Sequence, residues 1–173
     1  MDLEKFETGR QKLHVAQHKI MATLENSIEP LQQLIANKNI HVHLEGNGNL
    51  KAEYDEDRIV QVVTNLVSNA IKFCSDTNGL ITLAVYDKFD FVQVEVSDNG
   101  KGITNTDFEN IFDKFYQSTN QNFKKPIGSG LGLAICKQII EHHKGNIWAA
   151  NNATGGACLT FTLPKKQQSW ERF

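Results

Sequence analysis

In NLVSNAIKF, residues 65–73, two asparagines stand four apart and a lysine follows three further on. On a helix, spacings of four and three fall on one stripe, so Asn65, Asn69 and Lys72 would share a line. Such a stripe has two readings. It is either the solvated face of an amphipathic helix or a row of ligands: amide oxygens are hard neutral donors of the kind Mg²⁺ accepts, and a lysine one turn on can neutralise a phosphate oxygen. Phe73 borders the stripe and offers a ring that could pack on a planar base.

A second group is VEVSDNGKGI, residues 94–103. If this is a strand, the period of two puts Asp98 on the same face as Val92, Val94 and Val96. A carboxylate at the buried edge of a sheet needs a donor, and the exocyclic amine of adenine is one candidate. Gly100 and Gly102 then allow a sharp turn and a close approach to a flat ligand, although Asp-Asn-Gly is also simply a common turn.

The third group, GSGLGLAI, residues 128–135, places Gly128, Gly130 and Gly132 just before and at the start of an apolar helix. Free N–H groups and the helix dipole there suit a phosphate; a flexible hinge is the plainer reading. The G-x-G-x-G spacing lacks both the preceding strand of a dinucleotide fold and the Lys-Ser/Thr ending of a P-loop.

The elements that must position these residues follow from periodicity. Ile28, Leu31, Leu34 and Ile35 predict a helix over 24–37, with Pro30 near its start, and NIHVHLE (39–45) alternates like a strand before a turn at 46–49. Residues 55–73 carry the strongest helical signal: Asp55 as N-cap, an acidic first turn, and a wide face of Ile59, Val62, Val63, Leu66, Ala70 and Phe73. Residues 80–87 and 91–98 read as a hairpin, 131–143 as a helix, and NIWAAN and ACLTFTLP as closing strands. Between them, residues 99–130 form a long loop with one apolar island, FENIFDKFY (108–116), of the length that lids and binding loops have. The class is α+β: an open mixed sheet with helices on one face.

Composition sets outer bounds. The chain has 173 residues, long enough for one domain with a substantial core, and 40% apolar and 22% charged content fit an ordinary globular protein. A formal charge of −2 offers no basic patch for nucleic acid or an anionic membrane. No apolar run is long enough to span a bilayer, and MDLEKFETGR is not a signal peptide, so a cytoplasmic setting is expected. Cys74, Cys136 and Cys158 are widely spaced without a CxxC, as small core residues in a reducing compartment would be.

Taken in order, an asparagine helix, a D-x-G-x-G turn, an aromatic island and a G-x-G-x-G helix start resemble the catalytic ATP-binding domain of bacterial sensor histidine kinases. That domain belongs to the superfamily shared with Hsp90, type II topoisomerases and MutL. DRIVQVVTNLVSNAIKF is similar to the N box, VSDNGKGI to the G1 box, IFDKFYQ to the F box, and GSGLGLAICKQIIEHHKGNIW to the G2 box with its following helix and strand. The resemblance spans residues 13–164 and implies the Bergerat-type ATP-binding fold, a two-layer α/β sandwich with a mixed, mostly antiparallel sheet. It also implies that residues 1–12 end a dimerisation helix and that 165–173 are a tail or linker.

Residue by residue, the resemblance implies ATP and Mg²⁺ as cofactors. Asn69 would coordinate the metal beside Asn65, Lys72 would touch phosphate, and Phe73 would line the base pocket. Asp98 would accept from adenine, with Gly100, Gly102 and Ile103 shaping the pocket. Gly128, Ser129, Gly130, Leu131, Gly132 and Leu133 would contact phosphate or hinge the lid, and Phe112 and Phe115 would anchor that lid to the body. The implied partners are the protein's own phosphoacceptor domain and, indirectly, a response regulator, in a full-length homodimer anchored at the inner membrane; the 173-residue piece alone is expected to be a soluble monomer.

Three departures stand out. Gln117 occupies a position where many members carry an arginine that reaches phosphate, with Lys114, Lys124 and Lys125 as possible substitutes. Cys158-Leu159 stands where Thr-Phe is usual, which predicts a weakened polar contact near the base. No histidine has the phosphoacceptor context: His14 and His18 flank an early strand, His41 and His43 lie on a strand's polar face, where a metal pair is the less ordinary reading, His143 resembles a histidine common in the family's G2-side turn, and His142 beside it has no assigned role. The acceptor histidine is therefore expected upstream.

Overall fold

The computed structural model describes residues 12–116 and 132–167. Chain order runs β1 (Ala16–Lys19), α1 (Ile20–Ile28), a 3-10 turn (Glu29–Leu31), α2 (Gln32–Asn37), β2 (His41–Glu45), β3 (Lys51–Tyr54) and α3 (Glu56–Phe73). It continues through β4 (Leu80–Asp87), β5 (Phe91–Asp98), α4 (Gly132–His142), β6 (Ile147–Asn151) and β7 (Ala157–Pro164). The five-stranded sheet has the order β2-β4-β5-β7-β6, parallel only between β2 and β4, and β1 pairs with β3 in a separate antiparallel ribbon. The mixed α+β class is as predicted, down to the bounds of the β4–β5 hairpin.

The single helix expected over 24–37 is instead two helices joined by the 3-10 turn, with Pro30 in the turn's first positions. Proline has no N–H for the preceding turn and its ring crowds the carbonyl four residues back, so α1 stops at Ile28 and the chain restarts. The early strand expected beside His14 and His18 is β1, with His18 inside it, but its partner was not legible: β3 is a four-residue strand wedged between a turn and an N-cap, too short for alternation to register.

The core lies between sheet and helices. Ile81, Leu83 and Val85 of β4, Val92, Val94 and Val96 of β5, and Leu159, Phe161 and Leu163 of β7 are buried on one face, as period-two strands dictate. They meet Ile59, Val62, Val63, Leu66, Val67, Ala70 and Ile71 of α3 and Cys136, Ile139 and Ile140 of α4. Burying a side chain of this kind stabilises by about 1.5–3 kcal/mol, so α3 is held mainly by this face. Asp55 caps α3 as predicted, its Oδ1 accepting from Arg58 N at 3.3 Å.

Both ends of the described chain are tied into this body. His14 N–H donates to Asp55 Oδ2 at 2.9 Å. At the other end Gln167 donates from its backbone to Glu53 Oε2 and from its side chain to the His143 carbonyl, each at 2.8 Å. Residues 165–167, expected as the start of a tail, thus belong to the body, because β7's exit runs alongside β3 and the end of α4.

Candidate functional site

α3 presents Asn65, Asn69 and Lys72 beside its buried face: the two asparagines are half-buried and Lys72 is exposed. A simple solvated face is therefore excluded for the asparagines. They are also unlike each other. The Asn65 amide nitrogen donates to Gly132 O at 3.4 Å, tying α3 to the first residue of α4. The Asn69 side chain has no hydrogen-bond partner among the described residues, leaving its amide oxygen available. Phe73, half-buried, ends the helix.

The turn after β5 comes directly against that helix end. A Cβ on Gly100 would lie 1.7 Å from the Phe73 carbonyl oxygen, so only glycine permits the approach. Gly102 has φ +78°, a left-handed backbone, and a Cβ there would lie 2.3 Å from Gly155 O. Ile103 and Leu133 are half-buried at the margins.

Asp98 sits between these walls, 7% exposed, on the inward face where strand alternation placed it. Its Oδ1 accepts from Gly100 N at 2.8 Å and Ala157 N at 3.3 Å. Oδ2 has no partner among the described residues. Burial pushes this carboxyl above the usual range, and the two backbone N–H groups pull only partly against it. A buried carboxylate with one satisfied oxygen and one unsatisfied oxygen is a poised acceptor for a ligand N–H.

Phe112 packs against the core. Phe115 does not: it is 70% exposed with φ +62°. The expectation that both rings anchor the segment holds for Phe112 alone, because the backbone reverses at Phe115. Around it, buried Asp107 takes the Thr104 hydroxyl on Oδ2 at 2.7 Å and the Tyr116 hydroxyl on Oδ1, closing residues 104–116 into a loop. Gly128, Ser129, Gly130, Leu131 and Gln117 lie outside the described residues. Cys158 pairs with Ser97 in the sheet, whereas Leu159 pairs with Val96 on the inward face that carries Asp98. The replaced thiol therefore looks away from the pocket and meets the Thr160 hydroxyl at 3.7 Å.

Several polar residues that organise the site carried no readable signal. Asn99 Oδ1 accepts from Ser75 N at 3.2 Å and Leu80 N at 3.0 Å, pinning the segment after α3 to the start of β4. Asn151 and Asn152, from the β6–β7 hairpin, reach the same turn from the other side. Asn151 and Asn152 belong to no motif, and only the sheet order brings them to the Asp98 turn; Asn99 follows Asp98 directly, but its acceptor contacts cannot be read from the Asp-Asn-Gly turn.

Comparison with known proteins agrees with this geometry. The family described as "Histidine kinase-, DNA gyrase B-, and HSP90-like ATPase" matches residues 54–167. The sensor histidine kinase WalK of Bacillus subtilis is 40% identical over 121 residues, which are 69% of this chain and 20% of WalK. The chain thus spans about a fifth of that relative's length. The catalytic domain of histidine kinase ThkA superposes with a TM-score of 0.79 at 31% identity, covering 89% of this chain and 99% of that domain. A complex of ThkA with the response regulator protein TrrA superposes at 0.76 with 30% identity, covering 95% of this chain and 46% of the other.

Proposed function

This chain belongs to the histidine kinase-, DNA gyrase B- and HSP90-like ATPase family, and from that premise we propose that it is the catalytic domain of a two-component sensor histidine kinase. It binds ATP with Mg²⁺ and passes the γ-phosphoryl group to a histidine nitrogen on an upstream dimerisation domain, which in turn serves a response regulator. The observation that carries the reading is the unsatisfied Oδ2 of buried Asp98, set beside the glycine turn and the half-buried asparagine stripe.

In this reading Asp98 accepts from the adenine amine, Phe73 and Ile103 line the base, and Gly100 and Gly102 admit it by leaving out a side chain. The available oxygen of Asn69 fits the hard-donor preference of Mg²⁺; Asn65, committed to Gly132, orients α4 and supplies at most its own oxygen. Bound Mg²⁺ would neutralise charge on the phosphates. Lys72 and the N–H groups of Gly132 and Leu133 are available to do the same, and Gly128, Ser129, Gly130 and Leu131 are assigned to phosphate by resemblance. Phe115, left exposed by the packing, is counted here with the ligand-binding residues. Imidazole is nucleophilic as it stands, so this domain needs no strong base and contributes positioning and charge neutralisation.

In this reading residues 13–164, with 165–167 tied onto them, are the ATP-binding unit, and the full-length protein acts as a membrane-anchored homodimer with this domain on the cytoplasmic side; residues 1–11 lie outside the described residues. Supplying a dimerisation domain in trans with γ-labelled ATP is expected to label its histidine. Asn69→Asp is expected to abolish that label; full transfer by this variant would sink the metal assignment.

A further inference from the structure

We infer that Asn151 and Asn152 are specificity-determining positioning residues for base recognition, two consecutive asparagines that hold the Asp98 turn from both sides so that Oδ2 stays aimed at the base. The inference rests on the adenine reading above and adds residues from a different hairpin.

Asn152 is the centre of the turn joining β6 to β7. Its Oδ1 accepts from Thr154 N at 3.2 Å, Thr154 Oγ1 at 2.8 Å and Gly156 N at 3.0 Å. Its backbone N–H donates to Gly156 O at 2.8 Å. Its amide nitrogen then donates to the Asp98 carbonyl at 2.8 Å. The residue after Gly156 is Ala157, whose N–H meets Asp98 Oδ1 at 3.3 Å. One side chain therefore sets both the main-chain position of Asp98 and one of the two donors that fix its carboxylate. Asn151 works at the far end of the same turn. Its Oδ1 accepts from Ile103 N at 2.7 Å and its Nδ2 donates to Ile103 O at 2.8 Å, a two-point clamp on backbone that borders the pocket. Neither asparagine side chain is placed to touch the base; both act through residues that are.

Recognition of an exocyclic amine depends on where a single acceptor oxygen sits, because hydrogen bonds weaken steeply with distance and angle. A carboxylate held by only Gly100 N can rotate about its bonds, and the preference for an amine at that position fades even when the nucleotide still binds. A purely structural role predicts something different: weaker binding of every nucleotide by the same factor.

The test is calorimetry with ATP and with purine riboside triphosphate, which lacks the amine, on the wild type and on Asn152→Ala, Asn152→Asp and Asn151→Ala. Circular dichroism and melting curves establish which variants fold. The wild type is expected to prefer ATP by about tenfold, the size of one hydrogen bond to a charged group. Asn152→Ala is expected to reduce that preference to about threefold or less, and Asn152→Asp, which keeps the acceptor but loses the donor to Asp98, to reduce it as well. Asp98→Asn combined with Asn152→Ala is expected to bind ATP no more weakly than Asp98→Asn alone, since both act through one oxygen. Folded variants that keep the wild-type preference overturn the inference, as does additivity in the double variant. A wild type that binds neither nucleotide overturns the underlying function reading instead. If Asn152→Ala does not fold, Asn152→Asp and Asn151→Ala carry the same decision.

Discussion

Asp98 combines two demands that conflict in an ordinary core: burial and a charge. Its neighbours satisfy Oδ1 through backbone N–H groups and leave Oδ2 without a partner among the described residues. Asp98→Asn keeps the shape and removes the charge, so it is expected to retain the fold while weakening ATP binding by about 1.5–3 kcal/mol, roughly tenfold to a hundredfold. Isothermal calorimetry measures this, and unchanged affinity would count against Asp98 as the base acceptor. The two phenylalanines of the aromatic island separate in the same way. Phe112→Ala removes a ring packed on the core and is expected to cost about 2 kcal/mol or more in urea unfolding, whereas Phe115→Ala, 70% exposed, is expected to stay within about 0.5 kcal/mol of the parent. Equal losses from both would contradict the placement of Phe115.

At the scale of elements, α3 does two jobs. Its buried face joins it to the sheet, and its margin carries Asn65, Asn69 and Lys72. The orientation of that margin depends on the N-terminus of the helix, where Asp55 accepts from both Arg58 N and His14 N. Asp55→Ala removes a cap and the tether of the chain entering β1. A loss of about 1–2 kcal/mol in denaturant unfolding is expected, larger than for Asp57→Ala two residues on in the same turn. The segmentation of 20–37 into α1, a 3-10 turn and α2 was only partly legible: the apolar spacing holds, whereas Pro30, expected near the start of a single helix, lies in the break itself. What the spacing could not show is that the break falls in the middle, because helical phase survives a single 3-10 turn.

Across the whole molecule, His143 links the elements that flank the site. It is fully buried at the end of α4; its Nδ1–H donates to Ile139 O at 2.7 Å and its Nε2 accepts from Asp55 N at 3.1 Å. Those roles require the neutral ring, and burial lowers its pKa below the ordinary value of about 6.5, against weaker opposing pulls from the Ile139 carbonyl and Asp55. With the folded pKa below the unfolded one, the unfolded chain binds the extra proton first as pH falls. His143's contribution is thus complete above about pH 6.5 and is lost progressively as pH drops from there toward the lowered folded value. Melting temperature is expected to fall between pH 7 and pH 5, and His143→Gln is expected to flatten that slope; an equally steep slope in the variant would remove His143 as its cause.

The amino-acid sequence by itself determined the family and most elements of this protein. Asp98 at a strand end, glycines two and four residues on, and asparagines four apart on a helix are local patterns, fixed by side-chain period and backbone freedom within a few residues. Tertiary structure decided which of those groups are free to act. Asn65 and Asn69 look equivalent in sequence, yet the packing of α4 on α3 occupies one amide and leaves the other without a partner among the described residues. Cys158 stands at a position that predicts a base contact, and strand register turned it to the opposite face. Asn151 and Asn152 lie about fifty residues from the turn they hold, and the adjacency of β5 and β7 alone brings them there. Local periodicity is written along the chain; the satisfaction of a buried polar atom is a relation between distant segments, and only the folded molecule contains it.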